Sequence, residues 1–181
     1  MSNFIIDSSK FAAPCEPELW SQTTGTGVVG FNDSGVVGLA MNINAGSSVI
    51  DKTITSFKMN LRRTNTNSTP LSFGVFSKDG ATPSTTFTST ESSPITNSNQ
   101  LSESFTWYTF INGTGHTLAQ DEHVGFIMTS NPGSNLEAQR IEDVGESTVS
   151  NLSMVIYGHH VETWWNYSLA QIPYHEGFQT C

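Results

Sequence analysis

An aromatic run near the C-terminal end of the chain is the first place where side chains could bind a ligand. Trp164 and Trp165 are adjacent, and Tyr167 follows two residues later. Successive side chains of a strand point to opposite faces, so we expect one tryptophan in the core and the other outside it. Trp165 and Tyr167 would then form a platform that stacks on a sugar ring, with Asn166 and nearby Asp side chains on the sugar hydroxyls. The alternative is that the outer tryptophan packs under a loop or against a neighbouring subunit.

Histidine and glutamate residues near the same end raise the question of a metal site. His159, His160 and Glu162 precede the aromatic run, and His175 and Glu176 follow it. The chain contains neither a His-x-His nor a His-Glu-x-x-His spacing, so we predict no metal ligands and interpret these residues as solvated turn residues. Because histidine titrates near neutral pH, a cluster at a subunit contact would instead make assembly respond to acid.

Aspartates in predicted turns are the next candidates for chemistry. Asp121 and Glu122 lie in one such turn, and Asp33, Asp51 and Asp79 lie in others. Loop carboxylates are the hard oxygen ligands that calcium prefers, although no EF-hand-type loop is present. A structural calcium ion therefore stays open, and we predict no other cofactor.

The spacings that an enzyme needs are missing from the sequence. A glycosidase places two carboxyl groups across a cleft, whereas the densest acidic group lies in one local segment and is interpreted as a solvated face. That segment contains Glu137, Arg140, Glu142, Asp143 and Glu146. The sequence has no Gly-x-Ser-x-Gly nucleophile elbow and no phosphate-binding loop. We therefore expect no catalytic residues and no enzyme activity.

The two cysteines, Cys15 and Cys181, lie near opposite ends of the chain. The termini of a β-sandwich are often neighbours, so a disulfide between these residues is geometrically plausible. Two free thiols and an intersubunit bond are the alternatives. Two cysteines provide no metal-ligand spacing, and zinc is therefore disfavoured.

Short apolar segments with a period of two must position these residues. In residues 53–63, Phe57, Met59 and Leu61 fall on one face, and polar side chains fall on the other. The same alternation recurs in residues 71–77, 107–111 and 123–129. This pattern predicts strands with one face in a core and one face nearer solvent.

Other segments complete an all-β prediction. Residues 28–31 and 36–43 are joined by Asn-Asp-Ser-Gly and are predicted to form a hairpin. A strand is expected within residues 85–90, because the Ser/Thr-rich stretch there would otherwise be a long loop. Residues 136–144 suit either a short helix or an irregular strand. With roughly eight to ten strands and no crossover helices, the pairing should be antiparallel.

One domain with an N-terminal arm is predicted from the 181 residues. Residues 1–25 are weakly patterned, and Pro14 and Pro17 break any helix there. The apolar residues of this arm, such as Trp20, suggest that it packs on its own domain or on a neighbour. Residues 26–181 form the predicted sandwich.

The charge and composition exclude several partners. With a net charge of −9 and only 7 Lys and Arg residues, the chain lacks the basic surface that nucleic acid or anionic lipid requires. Ser and Thr account for 46 of the 181 residues, so the surface interacts mainly through hydroxyls, amides and backbone. The first residues lack the apolar core of a secretory signal. We therefore expect either assembly in the cytosol, as for virion components, or a leader that was removed.

The order of these segments resembles a jelly-roll β-sandwich module of virus and phage particle proteins and of microbial surface proteins. The resemblance rests on the order of Leu-Arg-Arg at 61–63, the strand at 71–77, the Pro-containing loop at 79–83, the Trp-led strand at 107–111, the turn at 117–123, Trp164–Trp165 and the closing segment at 169–174. It implies an antiparallel sandwich of jelly-roll type and supplies no catalytic residues. A coarser likeness to carbohydrate-binding modules and lectins implies glycan binding by fold analogy.

We predict from these observations a non-catalytic structural or assembly module on a particle or cell surface. The leading interpretation is a virion component such as a capsid decoration or fibre protein, located on a virion or extracellular surface. Its expected partners are further copies of itself or other particle and surface proteins. The alternative is a lectin-like carbohydrate-binding module that uses Trp165, Asn166 and Tyr167.

Overall fold

The chain folds into two antiparallel β-sheets. A computed structural model describes residues 18–22, 27–31, 36–128, 136–141, 151–158, 162–168, 172–173 and 175–179. The first sheet contains β1 (Glu18–Gln22), β2 (Gly27–Phe31), β4 (Thr53–Arg63), β7 (Thr88–Ser89), β8 (Thr106–Thr117), β10 (Leu136–Ile141), β13 (Ile172–Pro173) and β14 (His175–Phe178). The second sheet contains β3 (Val36–Ile43), β5 (Leu71–Phe76), β6 (Thr85–Thr86), β9 (His123–Met128), β11 (Leu152–Gly158) and β12 (Thr163–Ser168). The predicted all-β antiparallel sandwich is confirmed.

The strand order of the two sheets is that of a jelly roll. A jelly roll is a long hairpin folded over, so its first strand pairs with its last and the pairs then proceed inward. Here β2 pairs with β10, β3 with β9, β4 with β8, and β5 with β6. The resulting orders are β2-β10-β4-β8 in the first sheet and β3-β9-β5-β6 in the second. Strands β11 and β12 extend the second sheet beyond β3, and β14 and β1 pair in turn beside β4.

The core lies between the two sheets, where the alternating apolar residues meet. Phe57, Met59 and Leu61 of β4 are fully buried, as their two-residue spacing predicts. Phe73 of β5 stacks on Phe110 of β8 across the sandwich, with ring centroids 3.9 Å apart. Burying a side chain of this size contributes about 1.5–3 kcal/mol, so such rows hold the sheets together.

A buried histidine connects the two sheets. His175 of β14 accepts a hydrogen bond at Nδ1 from Trp20 Nε1 at 2.9 Å, and its Nε2 donates to the Val124 carbonyl of β9 at 3.1 Å. Its ring lies parallel to Phe57, with centroids 5.3 Å apart. Burial lowers the pKa of His175 to about 3, so the ring is neutral. The interpretation of His175 as a solvated turn residue is therefore wrong, because β14 turns this side chain into the core.

Part of the predicted arm belongs to the first sheet. Residues Glu18–Gln22 form β1, which pairs with β14. Trp20 of this strand is 1% exposed and packs on Gly177, where an added Cβ would lie 2.4 Å from the indole. This strand packs on its own domain, and residues 1–17 and 23–26 lie outside the described residues.

Three local predictions can be compared with the observed strands. The hairpin between residues 28–31 and 36–43 is wrong, because β2 pairs with β10 in the first sheet and β3 lies between β11 and β9 in the second. The turn signal between these strands is local, whereas each strand finds its partner in distant sequence. Residues 136–141 form the strand β10, and residues 85–90 hold the short strands β6 and β7.

Candidate functional site

The outer face of the second sheet, which points away from the first sheet, is buried rather than exposed. Phe126 packs on Phe31 of the first sheet, so the alternation of side chains turns His123 and Ile127 of the same strand outward. His123 is nevertheless only 4% exposed and Ile127 only 3%. The prediction that one face of this strand lies nearer solvent is wrong, because all of β9 is buried.

A loop that folds back over the sheet accounts for part of this burial. The cover loop, residues 77–84, connects β5 to β6 and lies on the outer face. A Cβ added to Gly74 would lie 2.1 Å from the Thr85 carbonyl and 2.8 Å from Pro83, so the loop approaches β5 at a position that only glycine fits. The amide of Ser84 donates to the Val75 carbonyl at 2.8 Å, which holds the returning end of the loop in place.

Trp164 is the tryptophan that packs beneath this loop. It lies on the edge strand β12 opposite Tyr157 and is 8% exposed. Its ring centroid is 4.9 Å from that of His123 and 5.4 Å from that of Phe76, both on the outer face. Its Nε1 donates to the carbonyl of Gly80 at 2.9 Å, so β12 and the cover loop are fastened together. The tryptophan that packs under a loop is thus Trp164, whereas the alternative was raised for Trp165, the tryptophan expected outside the core, and for that residue it stays a prediction.

A polar pocket of about 300 Å³, the outer pocket, opens beside Trp164. Its walls come from the end of β3, the cover loop, the turn before β9, and strands β9, β11 and β12. The polar side chains that line it are Asn42, Asn44, Lys78, Asp79, Asp121 and His123. Three separate parts of the sequence thus bring polar groups to one place.

Asn42 brings an unpaired polar atom to the outer pocket. This side chain is 8% exposed, and its Nδ2 donates to Oδ1 of Asn44. Asn44 Oδ1 also accepts from the Ser153 hydroxyl at 3.3 Å. Within the described ranges, Oδ1 of Asn42 has no hydrogen-bond partner. A buried acceptor left without a donor costs about 1–3 kcal/mol, so a donor at this position would be bound favourably.

His123 brings a second unpaired acceptor. Its Nε2 is 3.2 Å from the Lys78 carbonyl, to which it donates, so Nδ1 carries a lone pair. No residue in the described part of the chain donates to this Nδ1. Burial lowers the pKa of His123, which keeps the imidazole neutral and Nδ1 unprotonated at neutral pH. The ring is therefore a fixed hydrogen-bond acceptor.

The charged residues of the outer pocket lie at its rim. Lys78 Nζ is 3.5 Å from Asp121, and both side chains are partly exposed. The backbone of Asp121 is left-handed, with φ of 63°, and its amide donates to the Ile43 carbonyl at 2.8 Å. A non-glycine residue in this region is uncommon and is often found at functional turns. Asp79 and Asp121 line the pocket together with His123, and their negative charges partly oppose the lowering of the His123 pKa by burial.

The predicted aromatic platform stays a prediction. Trp165, Asn166 and Tyr167 belong to β12, with Trp165 opposite Ile156 and Asn166 opposite Val155. Their side chains lie outside the described part of the structure. Cys15, Cys181, His159 and His160 lie outside it as well, and so the disulfide remains a prediction too.

The turn aspartates are only partly brought together. Asp79 and Asp121 line the same pocket, whereas Glu122 accepts from His116 at 2.9 Å and from the Ala119 amide at 2.8 Å. Asp51 lies in a different turn, and Asp33 is outside the described residues. In the ranges that the structure describes, no group of three or more His, Cys, Asp or Glu residues is placed to hold a metal ion. Calcium binding stays a prediction.

In the acidic segment at residues 137–146, Glu137 is described by the structure and forms an ion pair. Glu137 of β10 accepts from Arg62 Nε of β4 at 2.7 Å, and this ion pair links neighbouring strands. Glu142, Asp143 and Glu146 lie outside the described residues.

Sequence reasoning missed Asn42, Asn44, His123 and the role of Trp164. One signal was available, because Asn42 interrupts the apolar segment of β3 and His123 begins the otherwise apolar β9. They are paired residues on β3 and β9, so their side chains lie on the same face. A polar residue at matching positions of two buried strands is a stronger indication of a site than either residue alone.

The fold and the site together define a jelly-roll β-sandwich with a polar pocket on the outer face of its second sheet. Comparisons of the chain with protein-family models, curated proteins and solved structures give no match. Among the residues that the structure describes, no helix has the length and apolar character needed to cross a membrane.

Proposed function

We propose that this protein is a non-catalytic recognition module of a particle or cell surface, and that it binds a carbohydrate in the outer pocket. The observation that carries the proposal is the pair of buried acceptors, Asn42 Oδ1 and His123 Nδ1, which have no donor among the described residues. Sugar hydroxyls are donors that satisfy such atoms, and the bound ligand would remove their desolvation cost. Without a ligand, two buried polar atoms that lack partners make this strand pair less stable.

The size and lining of the pocket support a small polar ligand. Its volume of about 300 Å³ is at the lower end of the range for ligand sites, which suits one sugar residue. The carboxylates of Asp79 and Asp121 would accept hydrogen bonds from hydroxyls at the rim. Trp164 supplies an apolar wall, against which the C–H groups of a sugar ring would pack. Because this ring is mostly buried, it acts as a wall and not as an open stacking platform.

Two aspartates provide a matched test of this proposal. Asp121 and Asp51 both have left-handed backbones, with φ of 63° and 65°, but only Asp121 lines the outer pocket. Asn tolerates the same backbone region, so Asp121→Asn and Asp51→Asn should both fold. On a glycan array followed by titration calorimetry, we expect Asp121→Asn to weaken binding about tenfold and Asp51→Asn to leave it unchanged. Equal binding by both variants would place the ligand elsewhere.

A separate pair of variants distinguishes the outer pocket from the predicted aromatic platform. Asn42→Leu removes the unpaired acceptor, whereas Trp165→Ala removes the proposed stacking surface on β12. If the outer pocket is the site, Asn42→Leu abolishes glycan binding and Trp165→Ala has a smaller effect. The opposite ranking would favour the platform of Trp165, Asn166 and Tyr167.

The second candidate function is assembly into a particle, as a capsid decoration or fibre protein. The jelly-roll strand order supports it, because this order is shared with the virus and phage modules that the sequence resembles. Packing of sheet edges between copies would then supply the affinity. Light scattering decides between the two functions: a stable symmetric oligomer without any glycan-array signal favours assembly. A monomer that binds glycan favours recognition.

A further inference from the structure

We infer that the outer pocket prefers a sugar residue with a free ammonium group, an unacetylated amino sugar, over the neutral or N-acetylated sugar of the same configuration. This inference rests on the carbohydrate-binding function proposed above and names the ligand class of that site. It follows from which atoms of the pocket accept hydrogen bonds, which donate, and what charge surrounds them.

The buried part of the pocket offers acceptors. Asn42 Nδ2 already donates to Asn44, and His123 Nε2 already donates to the Lys78 carbonyl. The two atoms of these side chains that have no hydrogen-bond partner in the described residues, Oδ1 of Asn42 and Nδ1 of His123, are both acceptors. A ligand must therefore bring donors, and an ammonium group brings three, more than any other sugar substituent.

The described residues at the rim of the pocket carry a net negative charge. Asp79 and Asp121 contribute two carboxylates, against the single ammonium of Lys78. Lys78 pairs with Asp121 at 3.5 Å, and Asp79 forms no ion pair with another residue of the described ranges. His123 adds no positive charge, since burial lowers its pKa and keeps it neutral. A cationic ligand is thus attracted, and one that neutralises Asp79 adds a charge-assisted hydrogen bond.

Acetylation of the amine would remove both advantages. An N-acetyl group has one N–H donor and adds a carbonyl that itself needs a donor. Among the described residues of the pocket, the one ammonium is that of Lys78, which is 68% exposed and pairs with Asp121, so an acetyl carbonyl would have to compete with this carboxylate for it. An acidic sugar would place its carboxylate beside Asp79 and Asp121 and would be repelled. The pocket therefore discriminates against both kinds of derivative.

The test uses matched sugars and the full chain. Glucosamine, glucose and N-acetylglucosamine, and the corresponding galactose series, are titrated into the wild-type protein at low salt and at a pH where the amine is protonated. We expect the amino sugar of at least one series to bind about tenfold more tightly than its two partners. The preference should shrink in Asp79→Asn and in higher salt, and persist in Asp51→Asn.

The outcomes of this test distinguish the inference from the proposed function. Binding of a neutral sugar with no gain for its amino form would overturn the inference and leave the proposed function standing. No binding by any sugar of a wider array would overturn both. Equal competition by a simple primary alkylamine would also overturn the inference, because the acidic chain would then attract any cation. An amine preference that Asp79→Asn and Asp121→Asn leave unchanged would do the same.

Discussion

Trp164 Nε1 donates a hydrogen bond to the Gly80 carbonyl at 2.9 Å and so joins the edge strand of the second sheet to the loop that covers it. The two residues are 84 positions apart in the chain. The cover loop forms one wall of the outer pocket, and Trp164 forms part of another. The shape of the pocket therefore depends on this single contact as well as on the strands beneath it.

Trp164→Phe should loosen the cover loop while it leaves the sheet in place. Phenylalanine retains an aromatic ring beside His123 but cannot donate to Gly80. We expect a loss of about 0.5–1.5 kcal/mol in the free energy of unfolding, measured by urea denaturation. Amide hydrogen exchange should rise in residues 77–84, whereas core amides of β4 stay protected. Unchanged exchange in the cover loop would show that this hydrogen bond does not hold it.

Stability should fall in mild acid because of His175. Its pKa is about 3 in the folded protein against an ordinary value of 6.5, so between these values the unfolded chain binds a proton that the folded chain does not. Full stability is therefore present above about pH 6.5 and is lost progressively towards pH 3, with a slope of up to about 1.4 kcal/mol per pH unit. In the described part of the chain, the hydrogen bonds and ring contacts of this imidazole are with Trp20, Phe57 and the Val124 carbonyl, which are all uncharged.

Urea denaturation at pH 7.5, 6.0 and 4.5 measures this slope. His123, whose pKa burial also lowers, contributes with the same sign. The variant His175→Gln should be less stable at pH 7.5, because it disturbs the contacts with Trp20 and Val124, but its stability should vary less with pH. A slope as steep as that of the wild-type protein would mean that other groups cause the acid sensitivity.

Gly177→Ala should destabilise the contact between β1 and β14. The new methyl group would lie 2.4 Å from the Trp20 indole, which is fully enclosed and cannot move aside without a shift of the strand. Overpacking of this kind costs about 1–3 kcal/mol. Gly113→Ala is the matched control, because nothing lies within 4 Å of a Cβ added there. The midpoints of thermal unfolding of the two variants measure this difference. Equal midpoints would contradict the packing of Trp20 on Gly177.

Asn42→Leu should separate stability from binding. The substitution removes a buried amide oxygen without a donor, while Asn44 Oδ1 keeps its bond from Ser153. We therefore expect the free energy of unfolding to stay the same or to rise by about 0.5–1 kcal/mol. Glycan binding should be lost at the same time. A loss of stability greater than about 2 kcal/mol would show that Asn42 is a structural residue.

Much of the sandwich could be predicted from local patterns, because burial on one face imposes a two-residue period. The face of β4 that carries Phe57, Met59 and Leu61 is an example. The pairing between strands was harder to predict from the sequence. The turn signal after residue 31 favoured a hairpin, but β2 pairs with β10. The pattern of a short segment does not predict which strand, distant in the sequence, it will pair with.

The candidate site was harder to predict for the same reason. Asn42, Asp79, Asp121 and Trp164 are brought together by the folding of β3, the cover loop, the turn before β9 and β12. None of these residues has a motif spacing with the others. His175 was misread because a histidine beside a glutamate resembles a solvated turn, whereas the pleat of β14 separates a buried His175 from Glu176, which pairs with Lys58 at 3.0 Å.

The pairing of β1 with β14 has a consequence for how the chain acquires its structure. These strands are the first and the last that the structure describes, and Trp20 packs against Gly177 only once both are present. During synthesis, all residues from β1 to β14 must have left the ribosome before these two strands can pair. Pairings of such long sequence separation form slowly, so we expect β14 and β1 to be paired late and their edges to be open to aggregation until then.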